Sequence, residues 1–308
     1  MFENLFSERG LSLDRLRALV AVDDAGGIAQ AAPGDPVRQS QYSRQLGELA
    51  AFFGREIARR RGKLLELTEP GKRLADLARS QLRSLQDFRA ECRAESIDYT
   101  IAAGDSVIHW LVIPRLGKLR AESPSIRVAT LNLRTNDIVR QLGDGRLDFG
   151  IIRQNALVAG LKSAFLGPLT YCVVVPVELV GSAPKSSLRD VLTSFPLAAQ
   201  TSDGQFTQRL HAIARDMKAD LRPALACQSF PQILSAVRSG AFAAVVPQLA
   251  LNDLPLRSFV EITAAPLRRL QRELVLAWNP RLLRVRPEAG QLAERLQKLL
   301  RITQERDQ

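Results

Sequence analysis

The sequence of 308 residues has few of the side chains that build metal centres and redox sites. It contains only three cysteines and two histidines. The cysteines, Cys92, Cys172 and Cys227, are widely spaced and form no CxxC pair, and His109 and His211 have no metal-ligand spacing. We therefore expect no metal site and no cofactor, and we expect a protein that works in a reducing compartment.

Long apolar runs and secretion signals are also missing. No stretch approaches the roughly 18 apolar residues of a membrane span. The first ten residues, MFENLFSERG, do not join a basic segment to an apolar one, as a signal peptide does. Walker, GxSxG and HExxH motifs are absent from the sequence. These features predict a cytoplasmic protein that is neither membrane-bound nor an enzyme.

The charge balance is strongly basic, with a formal net charge of +11. Residues 1–95 carry 16 basic and 14 acidic side chains, whereas residues 96–308 carry 27 and 18. Within residues 36–63, however, seven basic side chains face only two acidic ones. This local excess suits contact with nucleic acid. The C-terminal excess favours an anionic ligand, with a generic basic surface as the alternative.

Residues 13–74 predict two helices, a turn, a third helix and a basic hairpin. Leu13, Leu16, Leu19 and Val20 share one helical face, and Gly26-Gly27 ends that helix. A short helix over 28–32 and a proline-glycine turn over 33–36 precede a helix over 37–53. Its inward-facing residues are predicted to be Leu46, Leu49, Phe52 and Phe53. This order is the layout of a winged helix-turn-helix.

The third helix and the hairpin carry the side-chain types that contact DNA. Gln and Arg suit base edges, and cations at a hairpin tip suit phosphates. The predicted DNA-binding residues are Gln30, Arg38, Gln39, Ser40, Gln41, Ser43, Arg44, Arg59, Arg60, Arg61 and Lys63. The alternatives are an amphipathic surface helix and a solvated charged loop.

A long helix is predicted to follow the hairpin, with Thr68 as its N-cap. Its apolar residues form one stripe over about five turns. The stripe comprises Leu74, Leu77, Ala78, Leu82, Leu85, Phe88 and Cys92. A stripe of this length on a helix between two domains favours dimerisation. Packing of the helix against its own head is the alternative.

From Tyr99 onwards the pattern alternates between strands and helices, as in open α/β sheets. The predicted strands are Tyr99–Ala103, Ile126–Asn132, Leu147–Ile152, Thr170–Val175, Leu197–Gln200, Ala224–Ser229, Phe242–Val246 and Glu273–Trp278. The predicted helices include Val107–Glu122, Asp137–Gly143, Gln205–Ala219 and Pro231–Ser239. An internal echo between IVRQLGDGRLDFGII and ILSAVRSGAFAAVVP suggests two similar halves with a cleft between them.

Polar loops at the carboxyl ends of these strands are candidate ligand contacts. The predicted effector-binding residues are Gly104, Asp105, Ser106, Thr135, Thr201, Ser202 and Ser229. Ordinary helix capping is the alternative for each of them. Sensing through Cys172 or Cys227, with an inactive cleft, is the alternative for the domain as a whole.

The chain resembles a LysR-type transcriptional regulator over nearly its whole length. The resemblance is carried by GGIAQAA with VRQSQYSRQL, by RRRGKLLELTEPGKRL, by LGDGRLDFGII and by VRSGAFAAVVPQLA. Departures are the PGDP turn, with Asp35 where leucine is usual, Ser40-Gln41-Tyr42 in place of a Pro-Ala-Leu type run, and Ala241 at a frequent glycine position. Position by position, Gln39, Ser43 and Arg44 match the recognition helix, Arg60 and Arg61 the wing, and Ser106 and Thr201 the effector loops.

The resemblance implies a winged helix-turn-helix over 1–70, a dimerising linker helix over 71–95 and an effector domain over 96–308. That domain is expected to resemble a periplasmic binding protein, with one subdomain over 96–167 and 274–308 and the other over 168–273. The implied partners are double-stranded promoter DNA, a small-molecule effector and further copies of the chain. The copies would form a homodimer through the linker helix and then a homotetramer.

Overall fold

Residues 3–6, 10–61, 64–180, 187–201, 204–255 and 257–303 are described by the computed structural model, without the side chains of Asn4, Phe6, Arg61 and Leu64. The fold is mixed α/β with an N-terminal helix-turn-helix, which confirms the expected class. Within the described ranges, no helix combines the length and apolar character needed to cross a bilayer.

The head begins with four helices. They are α1 (Glu3–Phe6), α2 (Leu13–Ala25), α3 (Ile28–Ala31) and α4 (Pro36–Phe53). Gly26, with φ 79°, ends α2 in the left-handed conformation. Asp35 caps α4 by accepting a bond from the Arg38 backbone N–H at 2.9 Å, and Pro36 occupies the first turn, where no N–H is needed. The unusual PGDP turn is therefore a helix start.

The head core is formed where α2, α3 and α4 meet the hairpin. Its most buried members include Leu19, Leu46 and Leu49. The prediction that Phe53 faces inward was wrong, because Phe53 is exposed, and Leu13, predicted to share a helical face with Leu16 and Leu19, is exposed as well. Leu13 lies in the first turn of α2 and Phe53 ends α4, so the ends of these helices extend beyond the packed region.

The predicted basic hairpin is present as β1 (Ala58–Arg61) and β2 (Leu64–Leu67), an antiparallel pair. Thr68 then caps α5 (Glu69–Cys92), as expected, by accepting a bond from the Gly71 N–H at 3.2 Å. A Cβ at Gly71 would lie 2.0 Å from the Ile57 carbonyl oxygen. Glycine therefore lets α5 pack tightly against the residue that precedes β1.

The first sheet of the effector domain has five strands. They are β3 (Ile97–Ala103), β4 (Ile126–Asn132), β5 (Phe149–Arg153), β6 (Lys162–Leu169) and, late in the chain, β12 (Arg272–Trp278). Their spatial order is β4-β3-β5-β12-β6, with β4 and β5 parallel to β3 and β12 antiparallel to both of its neighbours. The start of β12 consequently lies beside the carboxyl end of β5, and Leu274 pairs with Arg153.

The second half contains a three-stranded and a two-stranded sheet. Its strands are β7 (Tyr171–Pro176), β8 (Ala198–Gln200), β9 (Leu225–Cys227), β10 (Ala244–Pro247) and β11 (Phe259–Ile262). The antiparallel order is β10-β7-β11, while β8 and β9 are parallel. Val174 and Val175 pack in separate core clusters, so β7 is buried on both faces.

Nine helices of the described effector domain cover these sheets. They are α6 (Asp105–Val107), α7 (Ile113–Glu122), α8 (Thr135–Gly143), α9 (Val177–Val180), α10 (Leu188–Ser194), α11 (Gln205–Asp216), α12 (Phe230–Arg238), α13 (Pro280–Val285) and α14 (Glu288–Leu299). The span predicted as one helix, 107–122, is helical throughout, but a π-turn over Ile108–Val112 lies between α6 and α7. Pro114 follows this turn and cannot donate a backbone bond, and the Arg115 guanidinium instead reaches the Trp110 and Leu111 carbonyls.

Two strands were not predicted, and one helix is shorter than expected. β6 contains Gly167 and Pro168, residues that discourage a strand prediction, and β11 is a short strand on the edge of its sheet. Gly167 has φ 128°, and the Ile302 carbonyl would lie 2.7 Å from a Cβ there, so the close approach of the last described segment requires glycine. The helix predicted over 205–219 ends at Asp216.

Candidate DNA-binding surface and effector cleft

The first turns of α4 present a polar face to solvent. Arg38, Ser40, Gln41, Ser43 and Arg44 are all exposed. On the opposite face, buried Tyr42, Leu46 and Leu49 attach the helix to the head core. The buried side of α4 thus packs on the head, and the predicted DNA-contact residues face solvent.

One aromatic and one acidic neighbour contact the arginines of α4. The Arg38 guanidinium lies 5.7 Å from the centroid of the Tyr42 ring, a cation–π distance. Arg44 is 75% exposed, with its Nε 3.8 Å from a carboxylate oxygen of Glu48, which also pairs with Arg15. A contact this long and exposed is weak, so Arg44 can leave it at little cost.

Gln39 differs from its neighbours because its side chain is already engaged. Its Nε2 donates to the Ala32 carbonyl at 2.8 Å and so holds the turn between α3 and α4. Gln30, on α3, is exposed. Gln39 thus stabilises the head through a hydrogen bond within the chain, so its side chain is not free to contact DNA unless that bond breaks.

The hairpin displays two arginines whose surroundings differ. Arg59 and Arg60 are both exposed on β1. The strand register sets Arg59 opposite Glu66 and Arg60 opposite Leu65. The side chain of Arg61 and the whole of Lys63 lie outside the described residues. Arg60 therefore has an apolar residue across the hairpin, whereas Arg59 has an acidic one.

The predicted effector loops gather at the ends of strands and the starts of helices. Gly104 follows β3 and caps α6, which contains Asp105 and Ser106, and Thr135 begins α8. Ser106 and Thr135 are half-buried and make no side-chain hydrogen bond with any other described residue.

Across the domain, two of the predicted hydroxyls are already engaged by the backbone. Thr201 donates its hydroxyl to the Cys227 carbonyl at 3.3 Å. Ser229 caps α12 by accepting a bond from the Gln232 N–H at 3.4 Å. Ser202 lies outside the described residues. The capping alternative therefore describes the observed bonds of Ser229, whereas Ser106 and Thr135 keep hydroxyls available for a ligand.

Trp110 joins the two halves of the effector domain, a role that the sequence did not predict. It leaves the π-turn of the first half and packs into the core of the second. Its indole N–H donates to Asp253 at 2.9 Å, and His109 Nε2 lies 3.3 Å from the same carboxylate. The π-turn that turns Trp110 towards the second half is a feature of the fold, and no local sequence pattern signalled it.

Charged side chains connect the linker helix to the first sheet. Arg286 is buried, donates to Asp148 at 2.8 Å and pairs with Asp87 of α5. Its guanidinium carbon lies 4.0 Å from the centroid of the Tyr99 ring. Burial raises the pKa of Tyr99 to about 12, despite the opposing influence of Arg286. The linker helix is thus anchored to the strands that lead into the cleft.

The exposed side of α5 carries unpartnered apolar surface. Leu77, Leu85 and Phe88 are each more than half exposed. Cys92 was predicted to continue the apolar stripe and is also exposed. Near the start of the helix, Leu74 and Leu77 line a cavity of about 770 Å³ between the head, α5 and α13. Apolar surface of this kind on a long helix suits a protein interface.

The remaining cysteines are buried. Cys172 lies within β7 and Cys227 ends β9, and burial raises the pKa of the Cys227 thiol. Across the described ranges, no three His, Cys, Asp or Glu side chains are grouped as metal ligands would be.

Comparisons with known proteins agree with this architecture. Residues 13–72 match the family described as "Bacterial regulatory helix-turn-helix protein, lysR family", and residues 95–301 match the "LysR substrate binding domain". The probable nitrogen assimilation transcriptional activator of Synechococcus elongatus is 26% identical over 279 residues, covering 86% of this chain and 88% of the relative. The regulator DgdR of Burkholderia cepacia is 26% identical, covering 79% and 80%.

Solved structures share the fold along the whole chain. A full-length OxyR variant from Pseudomonas aeruginosa has a TM-score of 0.66 at 19% identity, covering 97% of this chain and 100% of that one. Full-length CbnR in complex with its target DNA has a TM-score of 0.55 at 20% identity, covering 92% and 100%. Both parts of the chain match their family in the expected order, so the protein is a LysR-family transcriptional regulator with a DNA-binding head and an effector-binding domain.

Proposed function

We propose that the chain is a cytoplasmic regulator that binds promoter DNA as a homodimer or homotetramer and responds to a small molecule in its C-terminal cleft. One observation carries the DNA-binding part. The Asp35 cap and the buried side of α4 hold Arg38, Ser40, Gln41, Ser43 and Arg44 together on an exposed helical face. An α-helix fits the major groove, where arginine and glutamine distinguish bases.

The wing supplies contacts of another kind. Arg59 and Arg60 extend along β1, and exposed cations of this type bind phosphates without reading sequence. Arg61 and Lys63 belong to the same basic run in the sequence and complete the proposed contact set. In this proposal α4 distinguishes DNA sequences, whereas the hairpin strengthens binding to any duplex and positions the head on it.

The linker helix supplies the proposed dimer contact. Leu85 and Phe88 are exposed on α5 although they are large and apolar, and burial of such side chains favours association. A twofold-symmetric protein binds twofold-symmetric DNA, so dimerisation determines the spacing of half-sites. Pairing of dimers would then give the tetramer.

Effector binding is proposed for the loops at the ends of β3 and β8 and at the starts of α8 and α12. Gly104, Asp105, Ser106 and Thr135 form the group on one half, and Thr201, Ser202 and Ser229 form the group on the other. Because Trp110 connects the halves through Asp253, a ligand that changes their separation would also strain this contact. That strain provides a route from ligand binding to the rest of the chain.

The test of this function is selection of duplexes from a random pool by the purified full-length chain. We expect enrichment of a twofold-symmetric motif, with half-site centres about one helical turn, or a multiple of it, apart. A pool with no enriched motif after repeated selection would contradict sequence-specific binding. An enriched motif without symmetry would contradict the dimer.

A further inference from the structure

Arg272 is a buried cation without a carboxylate partner among the described residues. It begins β12 opposite Leu169, and only 8% of it is exposed. Its Nη1 donates to the Leu270 carbonyl at 2.9 Å and to the Gln271 carbonyl at 3.2 Å. Burying a charge without an ionic partner is costly, so such a residue needs a reason to be retained.

Two more arginines lie near Arg272, at the junction of the two halves. Arg153 ends β5, and its guanidinium bonds the Gln205 side chain at the start of α11. Arg209 lies one turn further along α11 and donates to the Arg269 carbonyl at 3.0 Å. Burial, together with repulsion by Arg209 and Arg153, lowers the pKa of Arg272. Burial and the two neighbouring arginines therefore both disfavour the charged form of Arg272.

Tyr171 places an aromatic wall and a hydroxyl beside this charge. Its ring lies 5.1 Å from the Phe206 ring and 6.1 Å from the Phe230 ring, measured between centroids. Its hydroxyl forms no hydrogen bond with another described residue. Burial raises the pKa of Tyr171 to about 12 even though the three arginines oppose the rise, so the hydroxyl remains a donor at neutral pH.

We propose that Arg153, Arg209, Arg272 and the Tyr171 hydroxyl bind the carboxylate of a small organic acid, whose apolar body packs on the partly buried ring of Phe206. Guanidinium groups bind a carboxylate through paired, charge-assisted hydrogen bonds. The ligand would supply the negative charge that Arg272 lacks. The site rests on the proposed function, because it gives a ligand class and a set of contacts to the effector domain.

The position of the site connects ligand binding to domain geometry. Arg153 and Arg272 belong to the five-stranded sheet, whereas Gln205 and Arg209 belong to a helix of the second half. A carboxylate held between them would replace the Arg153–Gln205 bond with an ionic contact to both halves. The separation of the halves would then depend on whether the anion is bound.

The experiment measures binding of acetate, butyrate and benzoate to the full-length chain by calorimetry and thermal unfolding, with benzamide as the neutral control. We expect benzoate to bind most tightly and benzamide not to bind. Arg272→Gln should weaken benzoate binding about 10- to 100-fold, the worth of one or two charge-assisted bonds. Arg268→Gln removes the same charge from an exposed neighbouring position and should bind like the wild type.

Unfolding without ligand provides the second measurement. If Arg272 is retained for an anion, Arg272→Gln should unfold at a higher temperature than the wild type, because a buried unpaired charge is removed. A lower unfolding temperature would mean that Arg272 stabilises the fold through its hydrogen bonds to the Leu270 and Gln271 carbonyls. That result would overturn the proposal. Equal binding of benzoate and benzamide, or failure of all three acids to bind, would also overturn it. If the wild type still selects a DNA motif in that event, only this inference fails.

Discussion

Arg79 in the linker helix and Asp23 at the end of α2 form an ion pair, with 2.7 Å between Nη2 and Oδ2. Arg79 is 4% exposed and also contacts Asp24 at 2.9 Å and the Asp144 carbonyl at 3.2 Å. Arg146 of the effector domain donates to the same Asp23 carboxylate at 2.5 Å. Head, linker and effector domain therefore meet at one buried polar junction, through which a movement of the effector domain can reach the head.

Removing the centre of this junction should destabilise the chain. Arg79→Met leaves Asp23 and Asp24 with Arg146 as the remaining cation, and we expect a loss of about 3 kcal/mol in the free energy of unfolding. Urea unfolding of both proteins measures the difference. Arg17→Met breaks an exposed pair with Asp14 and should cost less than about 1 kcal/mol. Equal losses in the two variants would mean that the junction is not a stabilising contact.

Arg44 should contribute directly to sequence recognition. Arg44→Ala removes an exposed guanidinium from α4 without disturbing its buried face, so we expect a loss of about 1–3 kcal/mol on the specific site alone. Fluorescence anisotropy with selected and shuffled duplexes measures this effect. Arg222→Ala, an exposed change in the effector domain, is the matched control. An unchanged preference in Arg44→Ala would remove this residue from the interface.

Arg60 should act through phosphates. Arg60→Ala is expected to weaken binding to all sequences alike and to reduce the slope of log affinity against log salt by about 1. The measurement is a salt titration of wild type, Arg60→Ala and Arg222→Ala on one duplex. If the slope of Arg60→Ala equals that of the wild type, the wing does not contact the backbone through this residue.

Leu85 should belong to the dimer contact. Leu85→Asp puts a charge into the exposed apolar side of α5, and we expect the dimer dissociation constant to rise by about 100-fold or more. Analytical ultracentrifugation over a range of concentrations measures it. Gln86→Asp adds the same charge at the adjacent exposed position and should leave the sedimenting mass unchanged. Dimerisation that resists Leu85→Asp would place the contact elsewhere.

The thiols should react in an order determined by exposure. Burial raises the pKa of Cys227, so less of it is thiolate at any given pH, whereas Cys92 is exposed. At pH 8 we expect iodoacetamide to label Cys92 first, with Cys172 and Cys227 protected until the chain unfolds. Mass spectrometry of timed samples distinguishes the three positions. Labelling of Cys227 as fast as Cys92 would favour the thiol-sensing alternative.

The sequence predicted the helix-turn-helix, the hairpin and most strands because their signals are local. Asp35 and Pro36 start a helix, and apolar runs such as those of β5 and β7 mark buried strands. β6 was missed because Gly167 and Pro168 break the strand pattern, although Gly167 is needed for a close contact with Ile302. Local sequence patterns therefore predicted most helices and strands. They did not predict a strand such as β6, whose glycine is required by a contact with a distant part of the chain.

The polar sites were harder to foresee because they join distant parts of the chain. Arg153, Arg209 and Arg272 lie on different elements, and only the antiparallel register of β12 brings two of them to one edge. Asp23 and Arg146 also lie far apart in the sequence and meet only in the folded chain. The sequence-based set for the cleft contained hydroxyls that follow strands, such as Ser106 and Thr201, but none of these arginines.

The central claim is that this head recognises a DNA sequence, and one affinity ratio tests it most directly. The measurement compares binding of the full-length chain to the DNA upstream of its own gene with binding to a shuffled duplex of the same composition, at physiological salt. The account predicts a preference of about 1000-fold or more for the upstream DNA. Equal affinity for both duplexes would contradict it.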